Sequence, residues 1–158
     1  DHSGLLVVHS LSKRSNLAGY RFGFVAGDPA LIEQLLEVRK HAGMMVPAPI
    51  QAAATVAYQD DEHAVLQKAV YAARREVLLS ALQEAGFRVD DSQGGLYLWA
   101  TRGESCRATV DRLAALGILV APGDFYGPAG AQHVRVALTA TDERVAVAAE
   151  RLVRATPA

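Results

Sequence analysis

The chain has 158 residues, 51% of them apolar, and a formal net charge of −1; it is long enough to bury one good core, or two small lobes sharing an interface, and disorder is not expected. The basic residues are scattered rather than striped, so nucleic acid is not expected as a partner, and no apolar run reaches the roughly 18 to 20 residues that cross a bilayer, so no membrane association is expected. The lone cysteine, Cys106, makes no internal disulfide, which fits a reducing compartment, and the chain reads as cytoplasmic.

In chain order, Gly4 to His9 (GLLVVH) is a short apolar run with β-branched residues, the pattern of a strand covered on both faces in an α/β sheet. The chain opens at Asp1 almost directly on this strand, so a fragment of a longer protein is expected. A polar loop, Ser10 to Gly19, leads to a second strand, Tyr20 to Ala26. Asp28 is placed to cap a helix with Pro29 at its first position, running to about His41 and stopped by Gly43. Pro47-Ala48-Pro49 reads as a rigid break before a small-residue helix, Ile50 to Tyr58.

From Asp61 to Ala85 the spacing of Leu66, Val70, Ala73, Val77 and Ala81 predicts one long amphipathic helix, closed by Gly86 and joining two lobes. Beyond it come a strand over Gly95 to Ala100, a helix from Ser105 to Leu116, strands at Ile118 to Ala121 and Val134 to Leu138, and a last helix capped by Thr141. Alternating strands and helices give an α/β class, with lobes 1–60 and 61–158. Two strands in the first sixty residues do not close a sheet, which also points to truncation.

The chemistry concentrates in Ser10 to Arg21, a loop directly after a strand. A lysine that forms an imine needs a neutral fraction, which a neighbouring cation such as Arg14 or Arg21 provides by lowering its pKa. The hydroxyls of Ser10 and Ser12 and the fork of Arg21 are suitable phosphate donors near Lys13. Read from residue type alone, the same loop is also an ordinary solvated one. Arg135 alternates with Val134 and Val136, the pattern of the solvated face of a half-buried strand. Gly94-Gly95 reads as a strand-start turn, Met44 and Met45 as a pocket rim or, more readily, as core filling, and Tyr126 either lines a pocket or packs. His9, His41 and His133 lack ligand spacing, so no metal site is expected, and Cys106 is expected buried or inert.

Ser10 to Asp28 (SLSKRSNLAGYRFGFVAGD) resembles the Schiff-base segment of fold type I, class I and II aminotransferases that use pyridoxal phosphate: Ser-x-Ser-Lys, then a Gly, and an Arg eight residues past Lys13. Gly94 to Trp99 (GGLYLW) resembles the glycine-rich strand of their small domain. Gly117 to Gly127 (GILVAPGDFYG) is similar to the segment approaching the substrate, and His133 to Leu138 (HVRVAL) to the strand whose Arg binds the substrate carboxylate.

The resemblance implies the following. The fold is the end of the large domain of the pyridoxal phosphate-dependent transferase fold (1–60), then a connecting helix and small domain (61–158). Lys13 carries the cofactor and shuttles a proton, Ser10, Ser12 and Arg21 bind its phosphate, and Arg135 takes the α-carboxylate. The substrates are an amino acid and a 2-oxo acid, and the assembly is a homodimer. Within the family the Ser10 to Asp28 segment looks most like bacterial N-succinyldiaminopimelate aminotransferases of lysine biosynthesis. The alternatives are an aspartate, aromatic or alanine-type aminotransferase, or a non-catalytic aminotransferase-like domain in a transcription regulator. The 158 residues by themselves are expected to be inactive.

Overall fold

The computed structural model describes residues 1–155. Two compact units are found, Asp1–Gln67 and a second beginning at Lys68.

In the first unit, β1 (Leu6–Ser10) leads into a one-turn helix α1 (Leu11–Arg14) and a 3-10 turn (Ala18–Tyr20) before β2 (Gly23–Gly27). The strands pair antiparallel, with Val8 opposite Val25 and Ser10 opposite Gly23. The helices α2 (Pro29–Ala42) and α3 (Ala48–Gln59) follow. Asp28 starts α2 as expected: its carboxylate accepts from the Ala30 and Leu31 N–H groups and also from Gly4 at 2.8 Å, and these backbone donors hold its pKa below the ordinary value. Gly43, at φ 71°, closes the helix.

Among the described residues β1 pairs with β2 alone, and Val7 and Val8 are 60% and 75% exposed there. Two expectations for this unit are corrected. β2 starts at Gly23 rather than Tyr20, since the 3-10 turn ends on Arg21 in a left-handed conformation (φ 54°, ψ 42°) that a strand cannot accommodate. Pro47-Ala48-Pro49 is a helix start rather than a break. Pro49 sits in the first turn of α3, where a missing N–H leaves no bond unmade.

The long helix α4 (Glu62–Glu84) appears as expected. Asp60 caps it, accepting from the N–H groups of Glu62 and His63. In the second unit β3 (Arg88–Asp90), β4 (Tyr97–Thr101), β5 (Ala121–Pro122) and β6 (His133–Ala137) form an antiparallel sheet in the order β3-β4-β6-β5, with α5 (Cys106–Ala115) and α6 (Asp142–Arg154). Alternation divides the sheet cleanly. Leu98, Ala100, Val134 and Val136 face a core shared with Leu78, Leu82, Leu113, Val145 and Leu152, while Tyr97, Trp99, His133 and Arg135 occupy the opposite, half-buried face.

β3 has no sequence expectation to meet, being three residues without an apolar run. The strand expected over Ile118 to Ala121 shrinks to Ala121–Pro122. Its first residues are still closing α5: Gly117 turns left-handed, Ile118 N–H reaches back to Leu113 O at 2.9 Å, and Leu119 is 95% exposed. Thr141 holds the N-cap position of α6 but makes no side-chain cap bond. The first turn is instead tied down by Asp142, which accepts from Arg74 Nε at 2.6 Å.

Candidate active site

Ser10 ends β1 and caps α1, and that double duty builds the site. Its extended backbone (φ −142°, ψ 142°) turns the hydroxyl back onto the helix start, where Oγ accepts from the Ser12 N–H at 3.1 Å. The same Oγ lies 3.0 Å from Ser12 Oγ and 3.1 Å from the Phe22 carbonyl. A hydroxyl has one proton, so Ser10 serves either acceptor at a time, and Ser12 keeps its own proton free to donate. Leu11, 1% exposed, pins α1 from beneath. Lys13, two residues on, is exposed in the same turn.

The residues after Lys13 fasten this turn to the end of α3 and the start of α4. Arg14 donates to Ala57 O at 2.8 Å and to Asp60 O, pairs with Asp61, and lies 5.4 Å from the Tyr58 ring centre. Ser15 Oγ meets His63 Nε2 at 2.9 Å, and His63 Nδ1 meets Asp60 Oδ2 at 2.9 Å. The hydrogen bond from His63 holds the Asp60 carboxyl below its usual range, and burial pushes the Tyr58 phenol up. Of the two cations expected to lower the Lys13 pKa, Arg14 is thus engaged by Asp61 and by two carbonyls.

Arg21 belongs to the same unit and directly precedes Phe22, whose carbonyl Ser10 contacts. Its Nη1 donates to Ala18 O at 2.8 Å, which leaves the rest of the fork for another acceptor. It borders a cavity of about 830 Å³, together with Tyr20, Arg39, Met44, Met45 and Ile50. Of the two readings of the methionines, the rim is the one found: they are 57% and 56% exposed and line this cavity.

Arg135 belongs to the second unit. On β6 it stands opposite Trp99 of β4 and Ala121 of β5. The expected alternation is present, with Val134 and Val136 buried on either side and Arg135 itself half-buried. It lies 4.1 Å from the ring centre of Tyr97 and 5.2 Å from that of Tyr126. Its Nε is buried without a hydrogen-bond partner, and among the described residues Arg135 makes no ion pair. Most other arginines are spoken for by a carboxylate or carbonyls, as Arg107 is by Asp124 at 2.8 and 2.9 Å, a pairing that lowers the Asp124 pKa.

Tyr97 and Tyr126 are the residues that sequence reasoning did not assign. Tyr97 was visible in the Tyr-Leu-Trp alternation, but its cation partner depends on the β4–β6 register, which no local pattern encodes. No group of three or more potential metal ligands occurs among the described residues. Cys106 is buried at 2% exposure, and no helix among them is long and apolar enough to cross a membrane.

Comparison with known proteins adds the family. The model for aminotransferase class I and II matches residues 1–152. The chain is 68% identical over 152 residues to a probable aminotransferase of Mycobacterium tuberculosis, covering 96% of this chain and 36% of the relative. It is 67% identical over 151 residues to the 4-dedimethylamino-4-oxo-anhydrotetracycline transaminase OxyQ of Streptomyces rimosus, covering 96% and 42%. An aminotransferase crystal structure from Neisseria meningitidis superposes with a TM-score of 0.89 at 32% identity, over 99% of this chain and 42% of that one. The chain therefore spans roughly two fifths of the length of these relatives. From β1 to α6, residue pattern, fold and relatives agree: the chain belongs to the class I and II aminotransferase family.

Proposed function

We propose that the protein carrying this chain is a pyridoxal phosphate-dependent aminotransferase in which Lys13 binds the cofactor. The observation that carries the reading is the capped turn at β1–α1, which gathers two serine hydroxyls 3.0 Å apart and an exposed lysine within four residues. The donor set fits the cofactor. Ser10, Ser12 and the free part of the Arg21 fork offer hydrogen bonds and a positive charge to a phosphate dianion, and the Lys13 amine is a nucleophile for an aldehyde. Bound there, pyridoxal phosphate supplies the aldehyde and the conjugated ring that takes up the charge developing at the substrate α-carbon. With the cofactor bound, Lys13 Nζ would carry the proton between the substrate α-carbon and the cofactor within each half of the exchange. Arg135 grips the α-carboxylate of amino donor and oxo acceptor alike, fixing which α-carbon bond faces the ring. Borohydride treatment of the full-length protein with the cofactor should place a pyridoxyl label on Lys13, and Lys13→Ala should abolish both label and turnover. A label on another lysine defeats the site.

At finer grain, the substrate pair proposed is N-succinyl-diaminopimelate with 2-oxoglutarate, in lysine biosynthesis, by a cytoplasmic homodimer. The Ser10 to Asp28 segment supports it. So does a 37% identity to an LL-diaminopimelate aminotransferase of Nostoc over 91% of the chain, which favours a diaminopimelate-shaped donor. The relative named for a tetracycline intermediate favours a cyclic ketone as acceptor instead. Rates with succinylated diaminopimelate, free diaminopimelate, common amino acids and a polycyclic ketone separate these. Turnover of the ketone with none of the succinylated donor overturns the finer reading.

A further inference from the structure

Among the described residues of the second unit, Arg135 is a positive charge with no ion-pair partner, seated against aromatic rings. Sheet geometry produces the seat. Tyr97 lies diagonally across the β4–β6 ladder from Arg135, on the same face, within reach of a long side chain. Ala121, opposite Arg135 on β5, is too small to compete for the space. Tyr126 arrives from the loop between β5 and β6, whose two arms touch at Gly123 and Gly130: a Cβ on either would stand 2.2 or 2.1 Å from the other's carbonyl oxygen. The Tyr126 ring meets Trp99 edge-on at 5.7 Å. Trp99 stacks flat on His133 at 5.1 Å, and His133 Nε2 is held by Asp90 at 3.0 Å. The rings are thus braced on both strands before anything binds.

We propose that Tyr97 and Tyr126 are positioning residues that hold the Arg135 guanidinium ready for the substrate α-carboxylate. The inference rests on the reading of Arg135 as the carboxylate-binding residue. A ring face attracts the cation but offers no acceptor oxygens, so it restrains the fork without consuming its N–H donors. A carboxylate partner would also fix the fork, but it would compete with the substrate. The buried, unpaired Nε agrees with a donor kept for an incoming ligand, since an orphaned buried donor is costly to keep. Preorganisation of this kind lowers the cost of binding any α-carboxylate, donor or acceptor, without touching the chemical step.

The test uses the full-length protein loaded with cofactor. Tyr97→Leu and Tyr126→Leu should each raise KM for both amino donor and oxo acceptor about tenfold, with kcat nearly unchanged. Tyr97→Phe and Tyr126→Phe should restore wild-type KM, because the ring face is kept. An amine donor lacking an α-carboxylate should be indifferent to all four. In an Arg135→Leu background the tyrosine substitutions should add nothing further. Equal falls in kcat for carboxylate and amine donors, or failure of the phenylalanine variants to rescue, would show that the rings only pack and would overturn the proposal. If Arg135→Leu itself leaves carboxylate KM unchanged, it is the underlying role of Arg135 that fails.

Discussion

The two units hold themselves together by different means. The second has a continuous apolar core, in which Leu98, Val134 and Leu138 are fully buried and meet Leu82, Leu113 and Leu152. In the first, only Leu11 and Ala54 are buried apolar residues, while Leu5, Leu6, Val7, Val8 and Phe24 stand exposed. Polar ties do the corresponding work there: the Asp28 cap that also binds Gly4, the Arg14 contacts, and the Ser15–His63–Asp60 chain. Hydrophobic burial scales with area and tolerates small shifts, whereas hydrogen bonds are directional and each adds about 0.5–1.5 kcal/mol net. The residues proposed to hold the cofactor therefore sit in the unit with the shallower core.

The sharpest way to break this contrast is a matched pair of truncations. Leu98→Ala, at 0% exposure, should cost the 158-residue chain about 2–5 kcal/mol by the transfer and cavity terms. Val8→Ala, at 75% exposure, should stay within about 0.5 kcal/mol. Denaturant melts of both variants check it, and similar losses would mean that the first unit has a core after all. Gly123→Ala, with its Cβ driven onto the Gly130 carbonyl, should cost about 1–3 kcal/mol and disturb the loop that carries Tyr126. Asp28→Ala removes a cap from the first unit and should lower its stability, with faster amide exchange in α2 and at Gly4.

The mildest prediction concerns acid. Asp28 and Asp60 have folded pKa values below the ordinary 3.8, the first through backbone N–H bonds from Gly4 and Ala30, the second through His63. Depressed carboxylates add stability that is complete above the unfolded value and disappears as pH falls through the folded one. Acidification below about pH 3.8 should thus loosen the Asp28 cap and the Asp60–His63 tie in the first unit, and Asp124, held low by Arg107, should give way with them in the second, read residue by residue from amide shifts. Amide shifts at the starts of α2 and α4 that stay unchanged through this range would contradict it.

What the sequence made legible follows from the range over which each signal acts. Caps and stops are local, so Asp28, Pro29 and Gly43 announced α2 correctly, and the apolar spacing announced α4. The length of β5 was not legible, because Ile118 and Val120 look like strand residues while Gly117 and Ile118 are still bonded to α5. Thr141 carried the right residue type for a cap, yet Asp142 found a partner 68 positions away in Arg74. The proximity of Ser10, Ser12 and Lys13 was legible because a single turn contains them. The aromatic seat of Arg135 was not, because it joins two strands and a loop through a register that only the folded sheet fixes.

Position 21 shows what such a site asks of the backbone. A left-handed residue with a Cβ costs about 1 kcal/mol or more relative to glycine, and the chain bears that strain with a long basic side chain at the spot. Arg21→Gly should consequently raise the melting temperature while weakening retention of a phosphorylated ligand. Under the phosphate-binding role proposed for Arg21, comfort of the main chain at this position is traded for grip.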